Sequence, residues 1–167
     1  YVPNLSGLAE DGARLVFGVG FLMVEQIQEA AKANPKTFYA GIDHFYGDNV
    51  PSNLIGVSYR EQEAGYLAGI VAGSMTKKFA KNSKLLNDRN VIGAVLGMMI
   101  PPVERYLAGY IAGAKSVNPT VDVRHIVTGT FSDRAKGKEA TIALIDQGAD
   151  VVIQLAGLTG MGVIDAA

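Results

Sequence analysis

Short apolar runs of strand length alternate with stretches of helical spacing, and this alternation constrains the chain more than any other feature. Arg14–Phe21 (RLVFGVGF) is β-leaning and closes on glycine-spaced turn chemistry. From Leu22 to Ala33 the apolar positions Leu22, Met23, Ile27, Ala30 and Ala31 recur at helical intervals, and Asn34-Pro35 stops that helix. Strands are then predicted over Thr37–Ile42 and Leu54–Tyr59, and a helix from Arg60 to Ser74 with Glu61 and Glu63 in its first turn, where the helix dipole favours acids. After a polar interval the order resumes: strand Val91–Leu96, helix Pro102–Ser116, strand Val121–Thr128, helix Lys136–Gln147, strand Asp150–Leu155. Strands and helices alternating at these lengths are βαβ units, so the expected fold is α/β with parallel sheet covered on both faces. Right-handed crossovers make it a doubly wound layer.

Two of the helices echo each other. Tyr66-Leu67-Ala68-Gly69-Ile70-Val71-Ala72-Gly73 is answered by Tyr106-Leu107-Ala108-Gly109-Tyr110-Ile111-Ala112-Gly113, with glycines four apart in each. Such a stripe permits a close helix approach, which offsets the roughly 1 kcal/mol that a mid-helix glycine costs against alanine. The same spacing in a membrane needs about 20 continuous apolar residues. Glu63 and Lys77 bracket one copy and Glu104-Arg105 interrupts the other, so neither spans a bilayer. Two alike helices fit two alike lobes, and equally a chance match between Ala/Gly-rich segments. The interval Lys77–Asn90, rich in lysine and asparagine, reads as a solvated surface excursion rather than a polyanion site.

Composition narrows the chemistry. The 167 residues include no cysteine, which excludes disulfides, thiolate catalysis, zinc–thiolate sites and iron–sulfur clusters. The 2 histidines, His44 and His125, are far apart, so no metal and no cofactor is expected. A formal net charge of -1 gives no electrostatic footprint for nucleic acid.

In a parallel α/β sheet, ligands bind beyond the carboxyl ends of the strands. The loops to search are therefore Gly18–Met23, Asp43–Asn49, Gly97–Pro102, Gly129–Asp133 and Ala156–Gly162. Enzyme readings find little in them. Gly18-Val19-Gly20 begins like a dinucleotide fingerprint, but Met23 stands where the third glycine belongs. No Walker pattern and no Gly-x-Ser-x-Gly is present. His125 reads as a packed or edge-strand residue, His44 as a polar loop contact, and Asp43 and Asp48 lack companions for a metal. Binding readings fare better. Gly129-Thr130-Phe131-Ser132-Asp133 joins a ring, a hydroxyl and a carboxylate, although Asp133 is equally well placed to cap the next helix and Phe131 to cover the core. Ala156–Gly162 offers backbone amides ahead of a helix, or a plain strand-to-helix turn.

Taken in order, these segments resemble the basic membrane protein family, the PnrA-like purine-nucleoside-binding lipoproteins. GVGF, NPKTFYAGID, EQEAGYLAGIVAG, IGAVLGM, PPVERYLAGYIAGAKSVNP and TGTFSDRAKGKEATIALIDQGADVVIQLAGLTGMGVIDAA carry the likeness from about residue 14 onward. The resemblance implies a type I periplasmic-binding fold whose two doubly wound lobes, here about residues 1–85 and 86–167, close on a ligand in an interlobe cleft. It implies an extracytoplasmic substrate-binding component of an ABC importer, lipid-anchored to the membrane upstream of this sequence, with a permease as partner and no catalysis. By the same resemblance Tyr106 and Phe131 stack on the base, Asp43 accepts a hydrogen bond from it, and Gly157, Thr159 and Gly160 supply polar contacts. Relatives carry further loops before Tyr1 and after Ala167, so the sequence is expected to be the middle of a longer receptor. A cytoplasmic ligand-sensing regulator on the same fold is the alternative, and a nucleoside or sugar enzyme a more distant one.

Overall fold

A computed structural model describes residues 1–79 and 83–167; the middle of the expected Lys77–Asn90 excursion thus lies outside the described residues. The chain divides into two compact units, Tyr1–Tyr59 and Arg60–Ala167. The boundary between these units falls at Tyr59/Arg60, whereas the lobe division expected from sequence lies at residues 85/86. The reason is the glycine stripe: the helix that follows Tyr59 packs against a helix of the second unit.

The first unit contains α1 (Val2–Glu10), β1 (Leu15–Val19), α2 (Val24–Ala33), β2 (Phe38–Ile42) and β3 (Leu54–Val57). The strands pair in parallel in the order β1-β2-β3, with Leu15 opposite Phe38 and Tyr39 opposite Leu54. Alternation sets the two faces. Val16 and Tyr39 point to one side and pack with Leu5 of α1 and Ile27, Ala30 and Ala31 of α2. Helix α1 was not anticipated from sequence. Pro3 lies in its first turn, Leu5 is its buried anchor, and the Tyr39 hydroxyl donates to the Leu5 carbonyl (3.3 Å). Asn53 closes the base of the unit, its amide donating to the carbonyls of Ala31 (3.0 Å) and Thr37 (2.7 Å).

The second unit contains α3 (Glu61–Ser74), β4 (Val91–Leu96), α4 (Pro101–Val117), β5 (Asp122–Val127), α5 (Arg134–Asp146), β6 (Ala149–Leu155) and α6 (Gly160–Ala166). Its strands are parallel in the order β5-β4-β6, so the chain winds outward from β4 in both directions. Every residue of β4 is buried. Ile92, Ala94 and Leu96 pack with Leu107, Tyr110 and Ala114 of α4. On the opposite face Val91 and Val95 pack with Ala140 and Leu144 of α5 and Val163 of α6.

The repeated glycines act as the spacing required. A Cβ on Gly65 or Gly69 would collide with the carbonyls of Tyr106 or Tyr110, and one on Gly109 or Gly113 with those of Gln62 or Tyr66. The two helices thus meet backbone to backbone. An ion pair fixes their register: Arg105 donates twice to Glu61 (2.7 and 3.2 Å), which raises the guanidinium pKa. Among the described residues no helix is long and apolar enough to cross a membrane.

Candidate functional site

Each unit gathers its strand-end loops around one fully buried polar side chain. In the second unit this is Thr159, in the short helical turn Gly157–Thr159 between β6 and α6. Its hydroxyl donates to the Thr130 carbonyl (3.2 Å) and accepts the Asp133 amide (2.9 Å). Its own amide donates to the Phe131 carbonyl (3.2 Å). Thr128, at the end of β5, reaches the carbonyls of Leu96 (3.1 Å) and Thr130 (3.0 Å). The loops after β4, β5 and β6 are thereby tied to one another.

Phe131 rises from this network half-buried. Gly97 has no side chain because the ring occupies that space: a Cβ there would collide with the ring edge. Gly157 is exposed with φ 55°, in the left-handed region that favours glycine, and follows Phe131 closely. Gly160 is buried, and the Gln154 side chain fills the space its Cβ would take. Thr159 and Gly160 therefore shape this loop, whereas Phe131 and Gly157 reach its surface. The Asp133 carboxylate accepts the Lys136 amide (3.2 Å) as the N-cap of α5, so the capping alternative describes it. Tyr106 sits inside α4, half-buried, and its carbonyl faces Gly65. Among the described residues its ring makes no ring contact with Phe131.

In the first unit the buried centre is His44. Its Nε2 lies 2.8 Å from the Gly20 carbonyl, beyond β1, and its Nδ1 2.6 Å from the Tyr46 hydroxyl. A carbonyl only accepts, so Nε2 carries the proton, and in the neutral ring Nδ1 accepts from Tyr46. The His44 amide donates to Val57 at the end of β3 (3.2 Å). The Tyr46 ring stands edge-on to the imidazole, with centroids 5.6 Å apart, and burial pushes its phenol up to about 12. Sequence reasoning gave His44 only a polar loop contact. The signal for more lay in Gly41 and Gly56, where side chains would collide with His44, but it requires the strand register to be seen.

Asp43, one residue before this strut, is half-buried with φ 66°. Asp tolerates that left-handed conformation better than most side chains. Among the described residues its carboxylate has no hydrogen-bond or ion-pair partner. The unit thus holds an unspent acceptor at the carboxyl end of its central strand. No group of three or more His, Asp or Glu residues is placed to hold a metal among the described residues.

Comparison with known proteins agrees with this architecture. A solute-binding protein of an ABC transporter system from Aeropyrum pernix K1 superposes with a TM-score of 0.85 at 29% identity, over 99% of this chain and 46% of that one. A transcriptional activator of the comK gene from Bacillus halodurans superposes with a TM-score of 0.73 at 20% identity, over 98% of this chain and 52% of the other, a likeness of fold alone. In sequence, the ABC transporter nucleoside-binding protein BmpA of Lactococcus lactis subsp. cremoris is 36% identical over all of this chain and 44% of its own length. The chain thus spans about half the length of the relatives it matches. The family model described as ABC transporter substrate-binding protein PnrA-like matches residues 1–167, and the chain belongs to that family.

Proposed function

We propose that this chain forms part of a receptor for purine nucleosides that serves an ABC importer at the extracytoplasmic face of the cell membrane, with the permease as its partner. The observation that carries the reading is Asp43, a carboxylate left without a partner at a strand's carboxyl end while nearby polar groups are spent on one another. A purine base offers the ring N–H and exocyclic amine donors that such an acceptor takes. Phe131, half-buried on Gly97, presents ring area for stacking on a planar base, and Tyr106 would supply the second ring. The exposed Gly157 turn, braced by Thr159 and Gly160, presents backbone to ribose hydroxyls. No role here calls for a catalytic group, and the relative named above is described as a binding protein.

The test is isothermal titration of a complete polypeptide carrying this sequence with inosine, guanosine, adenosine and a panel of sugars. One-to-one heat with a nucleoside is expected. Silence with every nucleoside, or heat with sugars only, would overturn the reading, and free base appearing in the cell would make the protein an enzyme.

A further inference from the structure

We infer that His44 is the positioning residue of the first unit's contact loop: its imidazole ties the end of β1 to the loop after β2, its backbone amide bonds the end of β3, and together they hold Asp43 in its left-handed conformation. The inference rests on the reading of Asp43 as a ligand contact.

Residue 43 is fixed on both sides by hydrogen bonds to other strands. The Ile42 carbonyl before it accepts the Gly20 amide (3.1 Å), and the His44 amide after it donates to the Val57 carbonyl (3.2 Å). Between those pins Asp43 adopts φ 66°, which costs a non-glycine residue energy and persists only where the surroundings over-determine it. The imidazole supplies that determination. It is fully buried and spans from the Gly20 carbonyl (2.8 Å) to the Tyr46 hydroxyl (2.6 Å), so the β1 end cannot move without breaking one of its bonds.

The local sequence is arranged around this ring. Gly41 leaves the space its ring edge occupies, and a Cβ at Gly56 would stand 2.6 Å from the His44 carbonyl. Tyr46, edge-on to the ring, covers it and satisfies its second nitrogen. A histidine needed only for packing would not require a glycine cut to its ring and a phenol on its second nitrogen. A buried ring with both nitrogens spent makes the loop stiff, and stiffness is what an acceptor aimed at a ligand requires.

The experiment is a double-mutant cycle on guanosine affinity in a complete polypeptide, with the variants His44→Leu, Asp43→Asn and both together. His44→Leu is expected to weaken binding roughly tenfold. His44→Gln, whose amide nitrogen can still donate to the Gly20 carbonyl, is expected to recover most of that loss. The double variant should bind no more weakly than Asp43→Asn alone, because His44 acts through Asp43. Losses that simply add, or an unchanged affinity in His44→Leu, would overturn the inference.

Two further readouts cover the ways this could fail to report. If His44→Leu does not fold, Tyr46→Phe, which removes the partner of the second ring nitrogen, carries the same cycle. If the parent protein binds no nucleoside, the functional proposal fails by itself, and the clamp is read without ligand. In that case the His44 ring nitrogen shifts should report the Nε2–H tautomer, and the Gly20 and His44 amides should exchange slowly in the parent and fast in the variant. Equal exchange in both would overturn the clamp.

Discussion

The two units share one construction rule and differ in how completely they obey it. In the second unit, α3 and α4 cover one face of the sheet and α5 and α6 the other, and β4 is buried along its whole length. In the first unit α1 and α2 both serve the same face. The opposite face carries Leu15, Phe17, Val19, Phe38 and Ile55, each between 50% and 66% exposed. Parallel strands are apolar on both sides because both sides are normally covered. An open face of this kind is adhesive, so residues 1–167 in isolation are expected to self-associate through the first unit rather than the second. The comparison shows that a strand's hydrophobicity reports what it needs, and its helices report what it has.

The sharpest way to break that comparison is a pair of matched substitutions. Ile92→Ala, in the doubly covered strand, should cost about 2–5 kcal/mol by leaving a cavity where the side chain is fully buried. Phe17→Ala, at 59% exposure, should cost less than about 1 kcal/mol and lower the binding of a hydrophobic dye. Denaturant unfolding measures both. Equal costs would mean that the open face is covered and the contrast is wrong.

Next in size is the helix contact. Gly113→Ala would push a methyl group into the Tyr66 carbonyl, and a loss of about 1–3 kcal/mol is expected. Gly7→Ala in α1 meets nothing within 4 Å, so the helix propensity gained should raise stability by up to about 1 kcal/mol. Thermal unfolding of the two variants should move in opposite directions. A smaller effect is expected of Asp133→Ala, which removes the cap of α5 and should cost about 1 kcal/mol. That variant should leave the Thr159 hydrogen bond from the Asp133 amide intact, because the backbone remains.

The smallest expected effect is alkaline. Tyr46 in the first unit titrates at about 12 because burial disfavours its phenolate, and Tyr110 in the second is raised further by burial and by Asp150. Each folded-state value lies above the unfolded one of about 10. The unfolded chain therefore loses these protons first, and stability present below pH 10 declines as pH rises toward 12. Denaturant midpoints between pH 9 and 12 should fall, and fall less in Tyr46→Phe.

Most of the fold was legible in the sequence. The alternation of strands and helices placed the six strands of the described residues, and the glycine stripes anticipated a close helix contact, because both are local patterns with a fixed period. What the stripes could not say is which helix each one meets. That partner choice groups α3 with α4 in the second compact unit. Helix α1 was missed because Gly7 weakens its pattern and its anchor, Leu5, makes sense only beside Tyr39. In the candidate site, Asp43, Phe131 and Gly157 were visible as residue types at strand ends. The supports were not. His44 and Thr159 act through bonds to residues 24 and 29 positions away, and only strand register reveals them.

The most direct test is the guanosine affinity of a complete polypeptide with and without Asp43→Asn. The change keeps the shape and removes the charged acceptor. A hydrogen bond to a charged group contributes about 1.5–3 kcal/mol, so affinity should fall roughly ten- to a hundredfold while the unfolding midpoint stays near that of the parent. An unchanged affinity would show that Asp43 does not receive the base, and would contradict the account.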